Sequence, residues 1–264
     1  MNSTPETARQ PLRVERVGAV LVLTNTDAPW NRMSVPYMDA LEKAVNDAAD
    51  DTGVRALVFT ADGESNFSVG MDLKQVYGAT RERWETALDQ RLRVLARIES
   101  MHKPAIVTMF GHCLGGGLEL PLACHFRLAA DSGGQFGLPE LELGTVPAWG
   151  GTARLTRCVG RMHALDMILR ARRIDGEQAL RIGLVHSLHP VSQLKAAAMA
   201  LAAELAARPP IAVAGVLRCI VGAEGLSLEQ AVAEERKAFL RCLASADQAE
   251  GMAAFFEKRK PSFS

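Results

Sequence analysis

Runs of strand-forming residues recur down this chain, and each is followed by a segment with a helical period. Leu12–Thr24 alternates loosely around Gly18 and predicts an early strand pair, while Arg55–Thr60, Pro104–Phe110 and Phe126–Ala130 predict single short strands. Asn25–Arg32 is rich in Asn, Asp and Pro and reads as a loop. Ser34 then caps a predicted helix with the apolar stripe Met38, Leu41, Val45 and Ala48, stopped at Asp50–Gly53. Trp84, Leu88, Leu92 and Leu95 predict a second helix face, with Trp84 in the core or a subunit contact. Strand alternating with helix favours a parallel α/β arrangement. Beyond Gly160 the character turns to Ala- and Leu-rich helices over Ala164–Leu169, Gly176–Arg181, Val191–Ala207 and Ser227–Leu240. The last is punctuated by a capping box, Ser227 with Gln230 three residues on.

Charge and cysteine usage narrow the function classes. Thirty basic residues balance thirty acidic ones, which argues against a strongly basic nucleic-acid face. Five widely spaced cysteines with no CxxC suit reduced thiols in a cytoplasmic protein. The polar first ten residues hold no apolar stretch, so no signal peptide is expected there. No apolar run approaches the roughly 18 residues of a membrane span, so no membrane partner is expected. Cys124-His125 and His186 with His189 lack a third ligand at metal-site spacing, so no metal is expected.

Three local features carry chemistry. Ser68-Val-Gly70-Met71-Asp72-Leu73 is a glycine-bearing turn after a predicted strand, able to aim the Met71 amide at a ligand. Gly111-His-Cys-Leu-Gly-Gly-Gly117 ends a strand and opens a helix, and its three consecutive glycines imply close approach or positive φ. Free amides and the helix dipole favour negative charge there. The Gly116 amide is placed to donate to an oxyanion, and Glu119 follows one helical turn later; its alternative is a solvated first-turn acid. The third feature is Phe136–Pro147, where Glu140 and Glu142 sit in an apolar run that burial would penalise. Two carboxyl groups facing one substrate would raise each other's proton affinity, leaving one to give a proton as the other accepts.

Leu114-Gly-Gly-Gly-Leu-Glu-Leu120, Gln135-Phe-Gly-Leu-Pro-Glu140, Leu143-Gly-Thr-Val-Pro147, Gly150-Gly-Thr-Ala-Arg-Leu155 and Phe256-Glu-Lys-Arg-Lys-Pro261 resemble the enoyl-coenzyme A hydratase (crotonase) family, with the motifs in family order from about Val14 to Pro261. The resemblance implies a repeated β-β-α spiral core over residues 1–195 and a C-terminal helical trimerisation region over 196–264. It implies an acyl-CoA substrate, no cofactor beyond the coenzyme A of that substrate, and a homotrimer or dimer of trimers. It implies syn addition of water across the 2,3-double bond of a 2-enoyl-CoA, in the setting of fatty acid metabolism. By position, the oxyanion donors fall on the Met71 and Gly116 amides and the catalytic acids on Glu119 and Glu140. The substrate groove falls on Trp30, Asn31, Arg32, Gly70, Asp72, Ala148 and Trp149.

The chain also departs from the family pattern. His125 follows Cys124 where Asp is frequent, either as a structural residue or as an altered contact. Ser132-Gly-Gly134 lengthens the spacing between the two glutamates. Trp149 stands where small residues are usual and would either reshape the acyl pocket or its wall or pack elsewhere. Arg91, Arg93 and Arg97 read as a solvated face or subunit salt bridges rather than an RNA-binding helix. The alternatives to hydration are double-bond isomerisation, carbon–carbon bond cleavage or thioester hydrolysis on an acyl-CoA, and, outside enzymes, an RNA-binding or scaffold protein on the same fold.

Overall fold

The computed structural model describes residues 10–264; the polar segment ahead of Gln10, read above as free of a signal peptide, lies outside the described residues. Strands β1 (Leu12–Val17) and β2 (Val20–Asn25) pair antiparallel around Gly18. Ser34 then caps α1 (Val35–Asp50), its side chain accepting from the Tyr37 amide, and the expected stripe at Met38, Leu41, Val45 and Ala48 is buried. Strand β3 (Ala56–Ala61) is buried along its length and is followed by α2 (Leu73–Val76) and α3 (Arg81–Glu99). Next come β4 (Ala105–Met109), β5 (His112–Leu114) and α4 (Gly116–Ala123). A further turn supplies β6 (Phe126–Ala130), β7 (Gln135–Gly137), a single 3-10 turn at Glu140–Leu143 and α5 (Gly151–Leu169), kinked at Gly160. The chain ends through α6 (Gly176–Arg181), β8 (Ser187–His189), α7 (Val191–Ala206), α8 (Pro210–Ile220), α9 (Leu228–Leu243) and α10 (Ala246–Phe256).

The main sheet runs β1-β2-β3-β4-β6-β8, parallel from β2 onward. A second, shorter layer repeats that order. Met33 bridges Met71, Ser68 bridges Cys113, β5 pairs with β7, and Phe136 bridges Ile174. Each spiral turn thus lays down one long strand, one short extended segment and one helix, which is the expected β-β-α repeat. The short layer matters most for function, because Gly70, Met71 and the start of α4 all lie on it. Helix α7 packs on β3, β4 and β6 and spans the division drawn at residues 195 and 196.

Three readings are corrected here. The buried face of α3 is Arg91, Val94, Leu95 and Ile98, one step around the helix from the predicted stripe, so Trp84 and Leu92 remain exposed in the single chain. Arg91 is not a solvated residue: it is 2% exposed, whereas Arg93 and Arg97 do lie at the surface, facing Glu42 and Asp50. The helix expected over Ala164–Leu169 is the end of the longer α5. Both halves of the Ser227–Gln230 capping box form as read. His125 is held on backbone groups, with Nδ1 accepting from the Ala105 amide at 3.0 Å and Nε2 lying 3.2 Å from the Glu99 carbonyl. That geometry suits a neutral ring, and burial lowers its pKa.

Candidate active site

The glycine run has a separate physical reason at each position. Gly115 caps α4 with φ +55°, and a Cβ there would stand 3.0 Å from Glu140 Oε1. Gly116 has ordinary backbone angles, so its requirement is space: a Cβ would stand 2.7 and 2.9 Å from Cη2 and Cε3 of the Trp149 indole and closer still to Cζ3. At Gly117 a Cβ would run into the Ser68 carbonyl oxygen. The run therefore lets the helix start sit directly between Trp149 and the Ser68–Met71 turn.

That turn presents the Met71 amide. Gly70 adopts φ +91°, and its amide donates to Ser68 Oγ at 3.0 Å. A Cβ on Gly70 would lie 3.4 Å from the Gly116 nitrogen, so the two segments are in close approach. Met33 donates to the Gly70 carbonyl and accepts from the Asp72 amide, which leaves the intervening Met71 amide out of the ladder. Neither the Met71 nor the Gly116 amide finds an acceptor among the described residues. Two adjacent unpaired amides, one at a helix N-terminus, form a site for developing negative charge.

Glu119 lies one turn into α4 and is 2% exposed, which removes its reading as a solvated acid. Its Oε1 accepts from the Trp149 and Gly151 amides, both at 2.8 Å. Burial nonetheless dominates and raises its pKa to about 7, with the neighbouring Glu140 charge adding to the rise. With Oε1 engaged by two donors, a proton on this carboxyl resides on Oε2. Glu140 opens the 3-10 turn beyond β7, and burial raises its pKa as well. Its Oε2 is buried and accepts from no described group. Glu142 instead faces solvent and pairs with Arg173 at 3.0 Å.

A clamp that sequence reading missed fixes the turn above Glu119. Arg154 Nε and Nη2 donate to Glu99 Oε2 at 3.0 and 2.8 Å, while Nη1 donates to the Trp149 carbonyl at 2.8 Å. The Trp149 peptide is thus held on both sides, its N–H on Glu119 and its C=O on Arg154. The indole is buried against Gly116, and the Arg91 guanidinium carbon lies 5.6 Å from the ring centroid.

The groove residues divide. Asn31 is wholly buried and donates to the Asp62 and Asn66 carbonyls at 3.0 and 2.7 Å, so its side chain holds loops together. Arg32 forks onto Asp27, and Asp72 caps α2. Trp30 is half exposed, with its carbonyl accepting from Val69, and Ala148 is exposed. The structure therefore brings together Met71, Gly116, Glu119, Glu140 and Trp149, with Gly70 beside them.

The chain resembles known proteins over nearly its whole length. The enoyl-CoA hydratase/isomerase family profile matches residues 15–264. The chain is 37% identical over 246 residues to a probable enoyl-CoA hydratase of Bacillus subtilis (strain 168), covering 92% of this chain and 95% of that one. It is 34% identical over 253 residues to the 2,3-dehydroadipyl-CoA hydratase of Escherichia coli (strain K12), covering 96% and 98%. The crystal structure of an enoyl-CoA hydratase from Bacillus anthracis superposes with a TM-score of 0.92 at 32% identity, covering 96% of this chain and 99% of that chain.

Proposed function

The chain belongs to the enoyl-CoA hydratase/isomerase family and carries its crotonase fold, and from that premise we propose that it adds water, in the syn sense, across the 2,3-double bond of 2-enoyl-CoA thioesters. The observation that carries the reading is the pairing of the buried Glu119 and half-buried Glu140 carboxyl groups, both with raised proton affinity, with two unpaired amides. The Met71 and Gly116 amides donate to the thioester oxygen as it gains enolate charge. A water held between Glu119 and Glu140 gives its hydroxyl to C3 and its proton to the ionised carboxyl. The protonated carboxyl delivers its proton to C2. The atoms of one water are thereby added, and the pair ends with one proton, as it began.

The deciding experiment follows 2-enoyl-CoA thioesters by the loss of conjugated enoyl absorbance and by product mass. Hydration predicts a gain of one water. Isomerisation would leave the mass unchanged, and thioester hydrolysis would release free thiol; either result would replace the proposed reaction.

The shared proton predicts a bell-shaped pH dependence of kcat/KM. Below both apparent pKa values no base remains, and above them no acid remains. Because Glu119 retains its proton up to about 7, the alkaline limb is expected to begin near pH 7 and fall about tenfold per unit. A flat profile from pH 5 to 9 would contradict the shared-proton scheme.

Assembly forms part of the same proposal. Helices α8, α9 and α10 leave Ile220, Phe239, Phe255 and Phe256 between 62% and 75% exposed, an apolar surface suited to contact between copies of the chain. Light scattering is expected to give three or six chain masses, and a monomer would refute the assembly.

A further inference from the structure

Arg91 is the one large cation of α3 that the fold draws inside, and the reaction proposed above gives it no task. Its Nη1 donates to the Ala87 carbonyl at 2.8 Å and to Gln90 Oε1 at 3.1 Å. Nε and Nη2 are buried and have no acceptor among the described residues. These two nitrogens form the guanidinium edge that meets a carboxylate with two parallel N–H···O bonds. The Trp149 face beneath the guanidinium attracts its charge but accepts none of the in-plane N–H bonds. No described carboxylate pairs with Arg91; Asp39, which lines the same cavity, acts on it only at a distance. A buried cation with an unsatisfied fork is costly unless a ligand completes it.

Its position indicates which ligand. Arg91 lines a cavity of about 510 Å³ with Val35, Asp39, Gln75, Val76 and Trp84. Gln75 and Val76 belong to α2, which begins two residues after Met71, and the indole under Arg91 is the ring that abuts Gly116. Arg91 therefore stands one indole away from the Gly116 amide.

We infer that Arg91 binds a carboxylate at the distal end of the acyl group, so that the site takes ω-carboxylated 2-enoyl-CoA thioesters. This inference rests on the hydratase reading for its reaction, though not for its binding geometry. A site built around a charged hydrogen-bonding group rejects the analogue lacking that group, because the fork is then left buried and unmatched.

The test compares trans-2-hexenoyl-CoA with trans-2-hexenedioyl-CoA, which differ only in a terminal methyl against a carboxylate. Wild-type kcat/KM is expected to be about a hundredfold higher for the carboxylate substrate. Arg91→Met is expected to lower that ratio about a hundredfold, whereas a merely structural arginine would depress both substrates equally and leave the ratio intact. Affinities for the saturated hexanoyl- and hexanedioyl-CoA, measured by calorimetry on the wild type, test the same preference without a variant and without turnover. Water addition with no carboxylate preference in rate or affinity overturns the role of Arg91 and leaves the hydratase reading standing. A carboxylate preference in affinity without water addition supports Arg91 and overturns the reaction.

Discussion

Replacing Glu119 by Gln is expected to lower kcat about a thousandfold while leaving the affinity for product CoA thioesters nearly unchanged, and Glu140→Gln is expected to do the same. General acid–base groups typically contribute 10²- to 10⁴-fold, and here each carboxyl needs the other, since one proton serves both. The double variant is therefore expected to be only slightly slower than either single one, well short of the product of the two losses. The Glu119 substitution is also chemically clean. An amide oxygen can still accept from the Trp149 and Gly151 amides at the 2.8 Å now taken by Oε1, so the turn above it stays in place. Stability provides an independent check. Glu119 holds its proton to about pH 7 in the fold but only to the ordinary carboxylate range when unfolded, so ionising it weakens the fold progressively between those values. At pH 8 Glu119→Gln is accordingly expected to be more stable than wild type by about 3 kcal/mol, the difference fading below about pH 5. Denaturant titrations at the two pH values measure it. Near-normal hydration by either single variant would remove that glutamate from the reaction.

Local signals were the legible ones. The caps at Ser34 and Ser227 and the long strands β3, β4 and β6 follow from residue type and period, and all formed as read. Glu140 was visible because an acid in an apolar run demands a reason, although the same rule also picked the exposed Glu142, and Glu119 was visible from its place one helical turn after the glycine run. The second sheet layer was not visible: β5 and β7 are three residues each, too short to show a period, and only pairing between spiral turns defines them. The Glu99–Arg154 clamp was hidden by its separation of 55 positions. Arg91 was misread because the apolar pattern of α3 placed Trp84 and Leu92 inward, and no sequence rule predicts that a guanidinium takes the inner face. What escaped was contact across the fold, and the surroundings of Trp149 depend on such contacts.

Gly116→Ala is expected to lower kcat about a hundredfold, and its cause can be separated from the loss of any glycine. One added carbon would stand 2.7 and 2.9 Å from Cη2 and Cε3 of the Trp149 indole, distances that real carbon pairs do not adopt. The indole has little freedom to retreat. It is 6% exposed, lies beneath Arg91, and its peptide is tied to Glu119 on one side and Arg154 on the other. The start of α4 must then move instead, carrying the Gly116 amide with it. A displacement of roughly 1 Å at a reacting centre costs about 10²-fold, because an oxyanion donor acts only within hydrogen-bond reach of the developing charge. Removing the obstacle tests the cause: introduced into a Trp149→Ala background, Gly116→Ala is expected to cost less than about tenfold relative to that background. Gly117→Ala serves as the contrast. Its added carbon meets the Ser68 backbone carbonyl, which no side-chain truncation removes, so Trp149→Ala is expected to give it no relief. Wild-type kcat in a folded Gly116→Ala enzyme would show that the amide is not an oxyanion donor. An equal loss with and without the indole would show that crowding by Trp149 is not what requires glycine at this position.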